Sequence, residues 1–173
     1  TSALGGKRAP SRGRAHCTNL DGRGLRCPLL IISDGNPGLL RAIADVWPKA
    51  PRQRCIVHRT WNVLARVPKK RQEEVEKALH RVFYSACLED AQEEAQRFVT
   101  RYGKEFPTAV EVLGAHLEES LTFYRFPERH WKYIRTSNVL ERSFREVKRR
   151  TIVIGSFPTE MAALSVVFRV LEE

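Results

Sequence analysis

No run of apolar residues in this sequence approaches the roughly 20 that a membrane-spanning helix needs. The longest, Leu29 to Ile32 after Pro28, has the length of a short buried strand. The basic N-terminal residues lack the apolar core of a signal peptide. Cys-x-x-Cys pairs are absent, and Cys17, Cys27, Cys55 and Cys87 are scattered along the chain. Thiols spread in this way are expected to be reduced, in a cytoplasmic protein with no membrane partner. The sequence has no Gly-rich phosphate loop, no internal repeat and no Ser, His and Asp order that suggests nucleophilic catalysis. Large apolar residues are almost missing from residues 1–19, where Gly, Ser, Arg and Pro dominate. A basic, irregular leader is expected there.

What is present is positive charge and the means to build a core. The 173 residues carry a net charge of +10, and 42% are hydrophobic. That charge favours a polyanionic partner, most simply nucleic acid. Half of it lies in residues 1–26, where Lys7, Arg8, Arg12, Arg14, Arg23 and Arg26 face Asp21 alone. Charge therefore argues less strongly for the folded part than for the leader.

Leu25 to Ser33 ends in a continuous apolar run bounded by Pro28 and by Asp34-Gly35-Asn36. Such a run reads as a strand buried on both faces, which requires helices on each side and hence an α/β layer. Pro37 then opens a helix carrying Leu39, Leu40, Ile43 and Val46, which Pro48 ends. Arg52 to Val57 is a second strand candidate, and a short helix with Val63, Leu64 and Val67 follows it. Strand, helix, strand makes one βαβ unit, so the two strands should be parallel. Residues 20–67 form this first part of the core. Residues 68–130 read as all-α, with amphipathic faces at Val75, Leu79, Val82 and Phe83, at Ala91, Ala95, Phe98 and Tyr102, and at Val110, Leu113, Leu117 and Leu121. Residues 131–173 hold a helix through Glu141 and a last helix, whose expected apolar side is Met161, Leu164, Val167, Phe168 and Leu171.

Two acids stand out. Asp34 lies at the C-terminal end of a strand, where open α/β sheets place ligands and where a carboxylate can hold a hard cation. From the residues alone, an Asx turn or a helix N-cap is the more ordinary explanation. In Asn138-Val139-Leu140-Glu141, Asn138 suits an N-cap and Glu141 the third helical position of a capping box. Glu141 could also pair with Arg145. Cys55-x-x-His58 has metal-ligand chemistry, but no second pair completes a structural zinc site. Arg142, Arg145, Lys148, Arg149 and Arg150 spread over one helix, where they could neutralise DNA phosphates or form a solvated face.

Four motifs in order resemble the Mutator-type transposases of bacterial insertion sequences. They are Ile31-Ile32-Ser33-Asp34-Gly35, Gln53-Arg54-Cys55-x-x-His58, Phe126-Pro127-Glu128-Arg129-His130-Trp131 and Thr136-Ser137-Asn138-x-Leu140-Glu141-Arg142. The resemblance covers roughly Leu20 to the C-terminus. It implies a partial ribonuclease-H-like core, in which residues 68–130 are an all-α insertion before the last catalytic acid. It also implies an Asp-Asp-Glu triad holding Mg²⁺ (or Mn²⁺) for DNA cleavage and strand transfer. On this match Asp34 is the second Asp and Glu141 the Glu. Cys55 and His58 are the Cys-x-x-His element near the active site, and Asn138 and Arg142 flank the Glu. The implied partners are DNA, as transposon ends and target, and further copies of the full-length chain in a homo-oligomer. The first Asp of the family has no counterpart here, since Asp21 is too close to Asp34 for a strand meander between them. The expectation is thus a truncated piece that is inactive alone and needs the complete site for its metal. The alternative is a non-catalytic DNA-binding or oligomerising remnant.

Overall fold

The structure, a computed structural model, describes residues 12–172. The first element departs from expectation. Arg12–Gly22 is a helix, α1, although irregular backbone was expected through residue 19. The rest of that expected leader, residues 1–11, lies outside the described residues. Helix α1 forms because a small-residue face meets a partner. A Cβ at Gly13 would lie 3.5 Å from the Cβ of Ala42, and Cys17 is buried with Ala42, Ile43 and Trp47. Tertiary packing outweighs the weak intrinsic helicity of this segment. Asp21 accepts a hydrogen bond from the Trp47 indole at 3.2 Å, which fixes the end of α1.

Strand β1 is Ile31–Ser33, helix α2 is Pro37–Val46 and strand β2 is Arg52–Arg54. The strands pair in parallel, Ile31 opposite Arg52 and Ser33 opposite Arg54, as the βαβ reading requires. Both are shorter than their sequence patterns suggest. The chain turns into α3, Ile56–Leu64, just where the second apolar pair, Ile56 and Val57, had suggested more strand. Burial on both faces of β1 does not hold either. Leu29 is 85% exposed and Ile31 and Ile32 are half-buried. The two-stranded sheet described here covers β1 along one edge only.

Helices α4 (Lys69–Phe83), α5 (Leu88–Tyr102), α6 (Pro107–Gly114) and α7 (Leu117–Ser120) follow. A 3₁₀ turn at Thr122–Arg125 and helix α8 (Glu128–Ile134) complete this part. Its core is the larger of two, built on Val75, Leu79, Val82, Phe83, Phe98, Tyr102, Leu113 and Phe123. These are the periodic positions of the amphipathic patterns, so helical period and burial agree. The small core under α1 and α2 is separate from it. Gln53 of β2, fully buried, ties the sheet to the helices: its amide donates to the Ser120 carbonyl at 2.8 Å and accepts from the Phe123 N–H at 2.8 Å.

Helix α9 (Asn138–Thr151) and helix α10 (Glu160–Glu172) pack chiefly against each other. The apolar side expected of the last helix is largely exposed: Met161, Leu164, Phe168 and Leu171 face solvent while Val170 is buried. Leu140 and Phe144 of α9 are exposed as well. One amphipathic helix can bury only one stripe against its single neighbour, which leaves the rest uncovered.

Candidate active site

Asp34 leaves β1 at its C-terminal end, as expected. Its Oδ1 accepts from the Asn36 N–H at 3.0 Å, an Asx turn. It is not the helix cap. Asn36 takes that role, its side chain accepting from the N–H groups of Gly38 and Leu39 at 3.0 and 3.1 Å. The second oxygen of Asp34 has no hydrogen-bond partner among the described residues. Between the two, Gly35 has φ +96°, a left-handed conformation that L side chains rarely adopt. The guanidinium of Arg54 also closes over it, and a Cβ there would lie 1.2 Å from Nη1.

Cys55 precedes α3 as its N-cap and is buried. The Ser137 N–H points at its sulfur, 3.3 Å away. Burial pushes the thiol up, but hydrogen bonds from the His58 N–H and from Ser137 outweigh it, and the pKa lies below the ordinary thiol value. His58, one turn into α3, has its Nδ1 enclosed and without a hydrogen bond of ordinary geometry. The Cys55 thiol is the main influence raising its pKa. Burial opposes this, and the charges of Glu141 and Asp34 add to it. The edge of His58 meets the exposed Trp61 ring at a centroid distance of 5.1 Å.

Glu141 arrives on the first turn of α9, but not through the expected capping box. Ser137, not Asn138, is the N-cap, so Glu141 falls one position further along. Its Oε1 accepts from the Ser137 hydroxyl at 2.7 Å and lies 3.9 Å from Nδ1 of His58. Ser137 thus holds the acid with its hydroxyl while its N–H is anchored on Cys55. Sequence reasoning missed this residue, although a hydroxyl four positions before an acid on a helix was the available signal. Asn138 is the first helical residue, its N–H 3.4 Å from Oγ1 of Thr136.

The basic residues of α9 divide. Arg149 binds both oxygens of Glu146 at 2.9 and 2.7 Å, and Arg150 reaches one of them at 2.8 Å. The hydrogen bonds of Arg149 and Arg150 hold the Glu146 carboxyl down to about 2. Arg142, Arg145 and Lys148 are exposed on the same helix.

The structure therefore brings Asp34, Cys55, His58, Ser137 and Glu141 into one neighbourhood, with Glu141 beside the imidazole and Asp34 following Ser33, whose carbonyl accepts from the Cys55 N–H. It does not assemble a metal centre. Among the described residues, no three His, Cys, Asp or Glu side chains are grouped so as to hold an ion. Two carboxylates with an imidazole and a thiol are a poor set for a hard cation, which takes oxygen ligands.

A family model described as "Transposase, Mutator family" matches residues 12–173. The chain is 35% identical over 156 residues to the transposase for insertion sequence element IST2 of Acidithiobacillus ferrooxidans, covering 90% of this chain and 53% of that protein. It is 31% identical over 164 residues to the transposase for ISRM5 of Rhizobium meliloti, covering 95% and 41%. With the transposase for IS1081 of Mycobacterium tuberculosis the identity is 34% over 155 residues, covering 90% and 37%. The chain thus spans about half the length of these relatives, or less.

Proposed function

The chain belongs to the Mutator family of transposases, and from that premise we propose that Asp34 and Glu141 are two of the acids with which the complete transposase cuts and rejoins DNA. The observation that supports this is their convergence from distant parts of the sequence: Ser33, next to Asp34, accepts from the Cys55 N–H at 2.9 Å, and Ser137, which holds Glu141, points its N–H at the Cys55 sulfur. Each also has a local role, an Asx turn and a bond from Ser137. Those roles fix the carboxylates without using up their oxygens. In this reading β1, α2 and β2 are part of a ribonuclease-H-like core, and α4 to α8 are inserted between its acids.

Mg²⁺ or Mn²⁺, held by such acids in a complete site, would activate the attacking oxygen and stabilise the leaving one. The residues of this chain contribute the rest. Ser137 orients Glu141, Cys55 anchors Ser137, and His58 sets a basic ring beside Glu141. The exposed Arg142, Arg145 and Lys148 of α9 offer phosphate contacts to DNA. With two acids and no third among the described residues, the chain alone should leave DNA uncut. A second reading, a non-catalytic DNA-binding or oligomerising piece, is favoured by the exposed apolar residues of α9 and α10.

In a complete transposase that carries this segment, ferrous iron put in place of magnesium, with ascorbate and peroxide, should cleave the polypeptide near the positions of Asp34 and Glu141. Glu141→Gln should remove both cuts. Cleavage confined to other regions, or untouched by Asp34→Asn and Glu141→Gln alike, overturns the assignment. Supercoiled plasmid with Mg²⁺ or Mn²⁺ should stay intact, and nicking that Glu141→Gln abolishes would show the chain to be active on its own.

A further inference from the structure

We infer that the arginine cluster behind Gly35, formed by Arg52, Arg54 and Arg59 with His116, is a phosphate-binding site that seats a backbone phosphate of a DNA strand passing Asp34. The site rests on its own charges. That its phosphate belongs to DNA rests on the function proposed above.

Three basic side chains converge on one carboxylate. Arg54 Nε lies 3.1 Å from Glu119 Oε2, Arg52 Nη2 lies 3.3 Å from Oε1, and His116 Nδ1 lies 3.7 Å from Oε2. Arg59, one turn further along, has Nη2 on the Val112 carbonyl and Nε enclosed with no partner. Glu119 is the only acid paired with these groups among the described residues. Asp34, next to Gly35, has its Oδ1 engaged by Asn36, and Glu118 is exposed on α7. Two guanidinium groups and an imidazole therefore share one carboxylate, with the Arg59 guanidinium close enough for Arg54 and Glu119 to influence it. The imbalance is felt inside the cluster. Burial pushes Arg59 down and the charge of Arg54 adds to it, with Glu119 opposing. Burial lowers His116 as well, followed by the charges of Arg54 and Arg59.

Uncompensated charge taken out of water is costly unless a counter-ion and hydrogen bonds accompany it. Arg54 and Arg59 are only 9% and 7% exposed, whereas Arg52 and His116 are 38% and 42% exposed. The two inner guanidiniums are thus desolvated, while the two outer groups remain within reach of a solvent anion. A planar fork of donors matches phosphate oxygens in pairs, and the orphan Nε of Arg59 is a donor awaiting such an acceptor. Because Arg54 lies over Gly35, an anion held there sits beside the Asp34 turn. In this arrangement Glu119 is the internal competitor of the phosphate.

That competition gives a test that a purely structural cluster would fail. Inorganic phosphate is titrated into the full chain by calorimetry at fixed ionic strength, with helix content followed by circular dichroism. Wild type should bind saturably. Arg52→Gln should weaken binding about tenfold, the loss of one charged hydrogen bond. Glu119→Gln should tighten it by a similar factor, and Lys77→Gln on the exposed face of α4 should leave it unchanged. Absence of saturable binding overturns the site. So does a folded Glu119→Gln variant that binds no better, or a Lys77→Gln variant as weak as Arg52→Gln. In a second arm, a short DNA oligonucleotide should displace the phosphate. Saturable phosphate that DNA cannot displace overturns the DNA assignment, whatever the outcome at Asp34 and Glu141.

Discussion

Gly35 is where two constraints meet at one residue. Its φ of +96° excludes an unstrained side chain, and the Arg54 guanidinium occupies the space a Cβ would need. Gly35→Ala must both strain the backbone and push Arg54 off Glu119. The expected cost is about 2–4 kcal/mol, read as a lower urea midpoint with unchanged m-value. A loss under about 0.5 kcal/mol would mean that the turn relaxes freely. At this scale the sequence was informative about identity and weak about partners. Asp34, Cys55, His58 and Glu141 could be picked out because their spacing and order carry a motif. The hold of Ser137 on Glu141 depends on which residue caps α9, and that lay one position from expectation. The pairing of Arg54 with Glu119 joins a strand to a distant helix, and no local pattern announces it.

Among the elements, α9 shows how charge is distributed within one helix. Glu146 occupies two of its arginines, Arg149 and Arg150, leaving Arg142, Arg145 and Lys148 exposed. The carboxyl of Glu146 is held at about 2, below the ordinary value of 4.5. A depressed folded-state pKa contributes stability that is present above 4.5 and is lost as pH falls toward 2. Carbon-detected titration of Glu146 should show this midpoint, and Glu146→Gln should remove its share of acid sensitivity. The same substitution releases Arg149 from its printed partner. It should therefore raise DNA affinity and steepen the plot of log K against log salt by about one. An unchanged slope would place α9 away from DNA. Helix α1 was the element the sequence hid. Its face is Gly13, Cys17 and Leu20, a helical spacing written in residues too small or too few to stand out. The parallel pair β1 and β2 was legible because a βαβ unit leaves little topological choice. Their lengths were not, because Ile56 and Val57 suit a strand or a buried helix start equally.

For the whole molecule, the contrast is between a closed helical core and an open C-terminal pair. The larger core encloses Phe83, Tyr102 and Phe123 almost completely. Across α9, α10 and their link, Val139, Leu140, Phe144, Ile152, Val153, Met161, Leu164 and Phe168 are exposed. Contiguous apolar surface of this kind drives association. Sedimentation of the chain at rising concentration should show self-association, which Leu164→Glu with Phe168→Glu reduces. A chain that stays monomeric at every concentration would remove the support for an oligomerising piece. Periodicity told which residues of α10 share a side, but not that this side lacks cover, since a sequence names a stripe without naming its neighbour.

The attachment of α9 at its first residues has a mechanical consequence. Ser137 is pinned to Cys55 and the Arg135 carbonyl accepts from the Ile56 N–H at 3.1 Å, so the helix is held at its base. Its 14 residues make an arm about 21 Å long. Glu141 stands about 6 Å from the pivot and Arg150 about 20 Å from it, at about 1.5 Å per residue. A swing of about ten degrees about that base shifts the acid by about 1 Å and the basic tip by about 3 Å, in proportion to those radii. In such a swing the acid would move about a third as far as the basic tip.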